Sequence, residues 1–216
     1  EIFQWHNGNS TRSDAAPFTI RSAAGDVTLP VNQQINSGRW ISLGCYPFQR
    51  GGGSVRLDSV ADKIVVADAI RARRVQYEVI VDNLDARYSD EGGFFTSSAS
   101  SDRYDATYRA RLTGSGATAQ WRLELPFEGI WEISEWHNGN STRSNAVPYT
   151  VHHAGGAQPL HVNQQINGGQ WNPLGRYSFA KMGGRVVLSN ECAGGDFVIA
   201  DAVRAVFISP PPGARG

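Results

Sequence analysis

A nine-residue stretch, Trp-His-Asn-Gly-Asn-Ser-Thr-Arg-Ser, stands at residues 5–13 and again, letter for letter, at residues 136–144. Its residue types suit the recognition of sugars. An indole offers an apolar face to the C–H side of a sugar ring, and amide or guanidinium groups offer donors to its hydroxyls. The candidate contact residues are Trp5, His6, Asn7, Asn9 and Arg12 in the first copy, and Trp136, His137, Asn138, Asn140 and Arg143 in the second. The same letters are good turn chemistry, because Asn and Ser side chains bond the backbone two residues on. Capping of the flanking strands, or a contact between the two copies, is therefore the competing reading. Asn9-Ser10-Thr11 and Asn140-Ser141-Thr142 also match the glycosylation acceptor pattern, which has meaning only in a glycosylating host.

Other chemistry-bearing residues point less far. His152, His153 and His161 follow His137 and invite a metal reading, but the positions matching them after His6 are Arg21, Ser22 and Pro30. No metal site is expected on that ground. An acidic loop holding Asp82, Asp85, Asp90 and Glu91 offers hard oxygen ligands. It lacks the regular spacing of an EF-hand loop, so a solvated loop is expected and calcium is the alternative. Asp68 with Arg71, and Asp201 with Arg204, lie three apart on otherwise apolar segments and would point to opposite faces of a regular strand. The aspartates are expected to accept N–H groups at a strand end, since general acid or base work needs a partner and none recurs with them. Nucleophile elbow, Cys–His pair, zinc signature and phosphate loop are all missing, so no catalytic residue is assigned and no enzyme is expected. Cys45 and Cys192 occupy non-equivalent places; they pair within the chain, pair between chains or remain thiols.

The elements that carry these residues are themselves repeated. Val31 to Asn36 returns as Val162 to Asn167, Trp40 as Trp171, Leu43-Gly44 as Leu174-Gly175, and Tyr46 and Phe48 as Tyr177 and Phe179, always 131 residues later. After a two-residue insertion near Cys192 to Gly195, Ala67 to Ala72 faces Ala200 to Ala205 at an offset of 133. One unit is written twice. Among 216 residues the 24 glycines, 10 prolines and single methionine favour short strands and turns over helices. Twenty basic residues balance twenty acidic ones, which gives no basic excess for nucleic acid or an anionic membrane. No apolar run is long enough to span a bilayer, and the first residues are not expected to be a charged-then-apolar leader.

Alternation predicts strands near residues 1–5, 17–21, 27–34, 40–44, 54–57 and 63–75 in the first copy. In the second it predicts them at 76–81, 94–97, 104–112, 117–125 and 129–136 before the shared part resumes. Strands in this number, with no helical period between them, describe tandem antiparallel β-sandwich, jelly-roll-like domains. Trp40 with Leu43 and Phe48, and Trp171 with Leu174 and Phe179, are expected in the cores. The Asn-Gln-Gln runs are expected either to satisfy buried backbone groups or to hold a ligand. The domains are then 1–75, holding only the closing half of the unit, 76–208, holding a whole one, and a Pro/Gly-rich tail at 209–216.

The second unit resembles the golvesin C-terminal-like domain, also described as the xanthan-lyase carbohydrate-binding-like domain. Val79-Ile80-Val81-Asp82-Asn83, Tyr104 with Tyr108, Ala119 to Leu123 and Gly129 to Ile133 carry the likeness. It continues through Asn163-Gln164-Gln165, Gly168 to Trp171, Leu174-Gly175 and Ala200 to Arg204. Residues 1–75 resemble the same domain from its middle onward. What the resemblance implies is a non-catalytic β-sandwich found beside extracellular enzymes such as polysaccharide lyases and cell-wall amidases, hence an extracellular or cell-surface location. The expected partner is a polysaccharide or cell-surface glycan.

A sandwich without its opening strands has open edges, and something must cover them. Upstream residues or strands donated by another chain would do so, and donation makes a structural filament or surface assembly the alternative function. Each chain carries one opening half and two closing halves, so donation between identical chains alone leaves one closing half unmatched.

Overall fold

A computed structural model describes residues 1–49, 51–114 and 116–211 of the chain. Among these residues the regular structure is all strand, eighteen in number, and no helix is long and apolar enough to cross a membrane. The chain divides into two compact units, Glu1–Tyr77 and Glu78–Ile208. The expected tail lies, from residue 212 on, outside the described residues.

Unit 1 holds β1 (Ile2–Trp5), β2 (Ala16–Ser22), β3 (Gly25–Val31), β4 (Ile41–Gly44), β5 (Ser54–Leu57) and β6 (Ala69–Ala72). Unit 2 opens with β7 (Glu78–Asp82), β8 (Tyr88–Glu91), β9 (Phe95–Ser97), β10 (Tyr108–Leu112) and β11 (Thr118–Arg122). It continues with β12 (Gly129–Trp136), β13 (Val147–His153), β14 (Gly156–Val162), β15 (Asn172–Phe179), β16 (Arg185–Ser189), β17 (Phe197–Ala200) and β18 (Ala202–Ser209).

Unit 2 is an antiparallel sandwich. One sheet runs β14-β13-β16-β11-β8, another β15-β12-β18-β7, and a shorter one β17-β10-β9. Period-two patterning sets the faces: Ala119 and Trp121 on β11, Val147, Tyr149 and Val151 on β13, and Val186 and Leu188 on β16 are all buried. The residues between them, among them Gln120, Arg122, Thr150, His152 and Arg185, lie at least partly in solvent. Trp121 stacks on Tyr149 with ring centroids 6.3 Å apart, and Trp131 packs on Phe127 at 5.3 Å and Phe207 at 5.1 Å. Burying one such ring contributes on the order of 2–3 kcal/mol.

Unit 1 repeats the closing part of this plan. Its sheets run β3-β2-β5 and β4-β1-β6, the order of β14-β13-β16 and β15-β12-β18. Register agrees as well: Phe18 faces Leu57 and Arg21 faces Ser54, as Tyr149 faces Leu188 and His152 faces Arg185. Ile2, Ala16, Phe18, Ile20, Val31 and Leu43 form its core. Counterparts of β7 to β11 do not occur among its described residues. Where unit 2 extends from β16 into β11, and from β18 into β7, unit 1 stops at β5 and β6.

One expected strand is much shorter than its pattern. Residues 63–75 read as a single run, but only Ala69–Ala72 is strand, and Ile64 keeps one isolated bridge to Arg12. In unit 2 the equivalent stretch makes two strands, broken at Asp201, because β17 has β10 to pair with and β18 has β12 and β7. Unit 1 lacks the partner of the first piece, so the alternation there has nothing to bond. Trp40 and Trp171 also depart from expectation. Both are half-buried, while Leu43, Leu174 and Phe179 go inside as their pattern requires.

Candidate functional site

The Trp-His-Asn-Gly-Asn loop of unit 2 leaves the end of β12 and crosses to β13. His137 and Asn138 within it are wholly buried, Trp136 and Arg143 are half-buried, and Asn140, Ser141 and Thr142 are exposed. Both ring nitrogens of His137 face acceptors. Nδ1 lies 2.9 and 3.0 Å from the two Glu135 carboxylate oxygens, and Nε2 lies 2.9 Å from the Ile166 carbonyl. Both can donate when the ring is protonated, which pairs an imidazolium with the buried Glu135 carboxylate. Burial pushes the His137 pKa down, but the hydrogen bond and charge of Glu135 outweigh it and leave it raised above the ordinary histidine value.

Gln164 completes the clasp. Its amide donates to the Ile199 carbonyl at 2.8 Å and accepts from the Ile199 N–H at 2.8 Å, standing in for a neighbouring strand. It also reaches the Tyr149 hydroxyl at 3.2 Å. Of the two expectations for the Asn-Gln-Gln run, the backbone-satisfying one describes Gln164. Asn138 accepts from Arg143 at 2.8 and 3.2 Å, and Asn140 caps the turn by accepting from the Thr142 N–H at 3.0 Å.

The clasp recurs in unit 1. His6 is buried between Gln4, 3.0 Å from Nδ1, and the Ile35 carbonyl, 3.0 Å from Nε2. Gln33 bonds both backbone groups of Val66 at 2.8 Å. Asn9 accepts from the Thr11 N–H at 3.0 Å, Arg12 is half-buried, and Asn7 is exposed. Besides Gln4 standing where unit 2 has Glu135, a second exchange separates the copies. The Gly8 N–H donates to the Ser37 hydroxyl at 2.7 Å, whereas the Gly139 N–H donates to Asp102 Oδ2 at 2.9 Å. Gly168 occupies the Ser37 place in unit 2, where a Cβ would stand 2.0 Å from the Gly139 nitrogen and 2.6 Å from Asp102 Oδ2. A carboxylate from the opening half thus does what a local serine does in the half-unit.

The opening half also builds an aromatic surface beside the loop. Tyr104 contacts Trp136 at 5.6 Å and Trp171 at 5.3 Å, and the two indoles meet edge-to-face at 5.3 Å. All three rings are half-buried. The Arg204 guanidinium lies 4.7 Å over Trp171, and Trp136 Nε1 donates to the Asp102 carbonyl at 2.9 Å. In unit 1 Trp5 meets Trp40 at 5.5 Å and Arg71 lies 4.7 Å over Trp40, with no counterpart of Tyr104 among the described residues. Rings with one flank in solvent and a cation stacked on them can receive the C–H face of a sugar, and the exposed Asn140 adds an amide. Sequence reasoning placed Trp136 here and missed Tyr104, Trp171, Asp102 and Arg204. The signal available was the Ser37 to Gly168 exchange inside an otherwise shared motif.

Asp201, between β17 and β18, accepts from the Tyr104 N–H at 3.0 Å, the strand-end role expected of it. Burial pushes its pKa up to about 8, and Asp82, Glu135 and Asp102 add to the rise. Its other oxygen has no hydrogen-bond partner, and the group has no exposure to a substrate. Its counterpart Asp68 is exposed.

The remaining candidates disperse. In the acidic loop Asp85 pairs with Arg87 at 2.6 Å and Asp90 with Arg109 at 2.7 Å. Among the described residues no three His, Cys, Asp or Glu side chains gather as metal ligands. His153 stacks on Tyr177 at 4.8 Å, away from His137. Cys45 and Cys192 are both free thiols.

A Paenibacillus xanthan lyase aligns at a TM-score of 0.61 and 26% identity, over 96% of this chain and 21% of that one. A family 35 carbohydrate binding module from Clostridium thermocellum aligns at a TM-score of 0.43 and 11% identity, over 60% of this chain and 98% of that one. The corresponding module of Cellvibrio japonicus Abf62 aligns at 0.45 and 10%, over 62% and 94%. No curated protein matches the chain. The chain spans about a fifth of the lyase it aligns with. The sequence model of the golvesin C-terminal domain matches residues 1–74 and 79–207, taking in both the half-unit and the whole one, so the chain belongs to the golvesin C-terminal domain family.

Proposed function

We propose that the chain is a non-catalytic, extracellular polysaccharide-binding portion of a larger protein. The observation that carries this reading is the alignment of nearly the whole chain within a fifth of a lyase that acts on xanthan. In unit 2 the sugar would lie on the half-exposed rings of Trp136, Trp171 and Tyr104, with Asn140 at the loop's outer rim. His137 and Asn138 would serve by holding that rim in place, and the corresponding surface of unit 1 is Trp5 and Trp40 with Asn7 and Asn9. Affinity electrophoresis against a panel of polysaccharides tests it. Retardation by at least one polymer, lost in Trp171→Ala with Asn140→Ala while the melting curve survives, is the expected outcome. A folded protein that ignores every polymer would sink it.

A second reading has its own support. Ile64 and Ile70 of unit 1 are 51% and 47% exposed beside open sheet edges, which suits strand complementation in a filament or surface assembly. A monomer at all concentrations in light scattering excludes self-assembly.

A further inference from the structure

The outer face of the five-stranded sheet in unit 2 carries a row of basic side chains that the fold itself uses little. Arg122 on β11 faces Arg185 on β16, and Arg185 faces His152 on β13. Strands lie about 4.8 Å apart, and like charges directly opposite one another cost stability. The Arg122 side chain reaches only the Ala86 carbonyl, at 3.2 Å, and the Arg185 side chain makes no hydrogen bond or ion pair among the described residues. Burial, Arg185 and His153 together hold the His152 pKa below its ordinary value, as a crowded positive field does.

The row floors a groove of about 490 Å³, with Gln120 on its floor and Glu124 the one acidic side chain lining it among the described residues. The groove's lip is built at a cost. Met182 sits at a φ of 57° and is 61% exposed, and Glu124 sits at a φ of 48°. Left-handed backbone costs a residue with a Cβ roughly 1–2 kcal/mol, and unit 1 has Gly51 at the place of Met182, at a φ of 77°. A side chain has been put where the turn prefers none, and it overhangs the groove. Unit 1 lacks the row as well. Its Arg21, at the place of His152, pairs with Asp26 at 3.3 Å, and Ser54 stands for Arg185.

We propose that this groove binds an acidic polysaccharide, with sugar-borne oxyanions seated between Arg122 and Arg185 and Met182 lying against the ring. Guanidinium forks match carboxylate and sulfate geometry, and the groove shares no lining residue with the Trp-His-Asn-Gly-Asn loop. The inference rests on the polysaccharide-binding reading above and adds a second site and a ligand class to it.

Affinity electrophoresis of the full chain in gels of polygalacturonate, dextran sulfate or neutral dextran tests the groove. Polygalacturonate or dextran sulfate retards the wild type, less as NaCl rises, and the better of the two identifies the oxyanion. Arg122→Ala with Arg185→Ala, both exposed, relieves the like-charge repulsion and does not lower the melting temperature, and it weakens that binding by roughly tenfold or more. Met182→Gly, the unit 1 solution, raises the melting temperature and weakens binding too, which separates the groove's role from its stability. Unweakened acidic binding in the double variant, or binding of neutral polymers alone, overturns the groove and spares the general reading. Failure of the wild type to bind any polysaccharide overturns both.

Discussion

Ile70 and Val203 occupy the same place in two copies of one strand, yet Ile70 is 47% exposed and Val203 is wholly buried. Asp68 and Asp201 differ in the same sense, the first in solvent and the second sealed. Both pairs sit on or beside a strand that has β7 next to it in unit 2 and, among the described residues, no strand in that place in unit 1. Their own residue types do not decide burial here; the neighbouring strands do. The His and Gln clasps, in contrast, keep the same backbone partners in both units because those partners come from the closing half, and they differ only in Gln4 standing where unit 2 has Glu135.

Amide hydrogen exchange separates the two units most sharply. Openings span nearly zero at frayed edges up to the global stability of a core strand. The amides of β6 are expected to exchange within the fast regime, with those of residues 64–67, while β17 and β18 are protected to the level of global unfolding. Equal protection of β6 and β18 would mean that something already covers the unit 1 edge in solution.

A smaller difference follows from the two glutamines. Gln164→Ala strands the Ile199 N–H and carbonyl in a site with no solvent, at a cost of about 2–3 kcal/mol in chemical denaturation. Gln33→Ala frees the same groups of Val66, which is half-exposed, so water substitutes and the loss is about 1 kcal/mol. Equal losses would show that Val66 is as dry as Ile199.

The two units are also expected to differ in pH dependence. His137 has a raised folded pKa, so its contribution is complete below its unfolded value near 6.5 and is lost as pH rises through the folded value. Asp201, raised to about 8, acts with the same sign: the folded state favours its proton, and stability falls as pH climbs from about 4 toward 8. Unit 2 is therefore expected to melt lower at pH 9 than at pH 6. Glu135→Gln, which installs the amide that Gln4 provides in unit 1, removes the His137 share of that slope. An unchanged slope in the variant would break the ion-pair assignment.

Much of the fold was legible in the letters. Identical motifs at a fixed offset gave the two closing halves, and alternation at residues 54–57 and 129–136 matches β5 and β12 residue for residue. Alternation failed at residues 63–75, because a pattern records which face is apolar and says nothing about whether a partner strand exists. The loop residues were legible as a unit while their orientation was not. His137 looks like a donor for a ligand, and only Glu135, two residues back on the same strand, and the distant Ile166 carbonyl turn it inward. Tyr104 and Asp102 were hidden for a simpler reason, since they come from the half that has no second copy to compare.

The topology of unit 2 also governs the order in which it can assemble. β7 leaves the ribosome first and bonds only to β18, the last strand made, whereas β8 with β11 and β9 with β10 can pair among themselves while they wait. The nascent chain must therefore keep Val79 to Val81 out of wrong pairings until nearly the whole unit exists, a slow, high-contact-order closure. The clasped strands after Gly129 need no such delay, and they are the platform onto which the earlier ones finally settle.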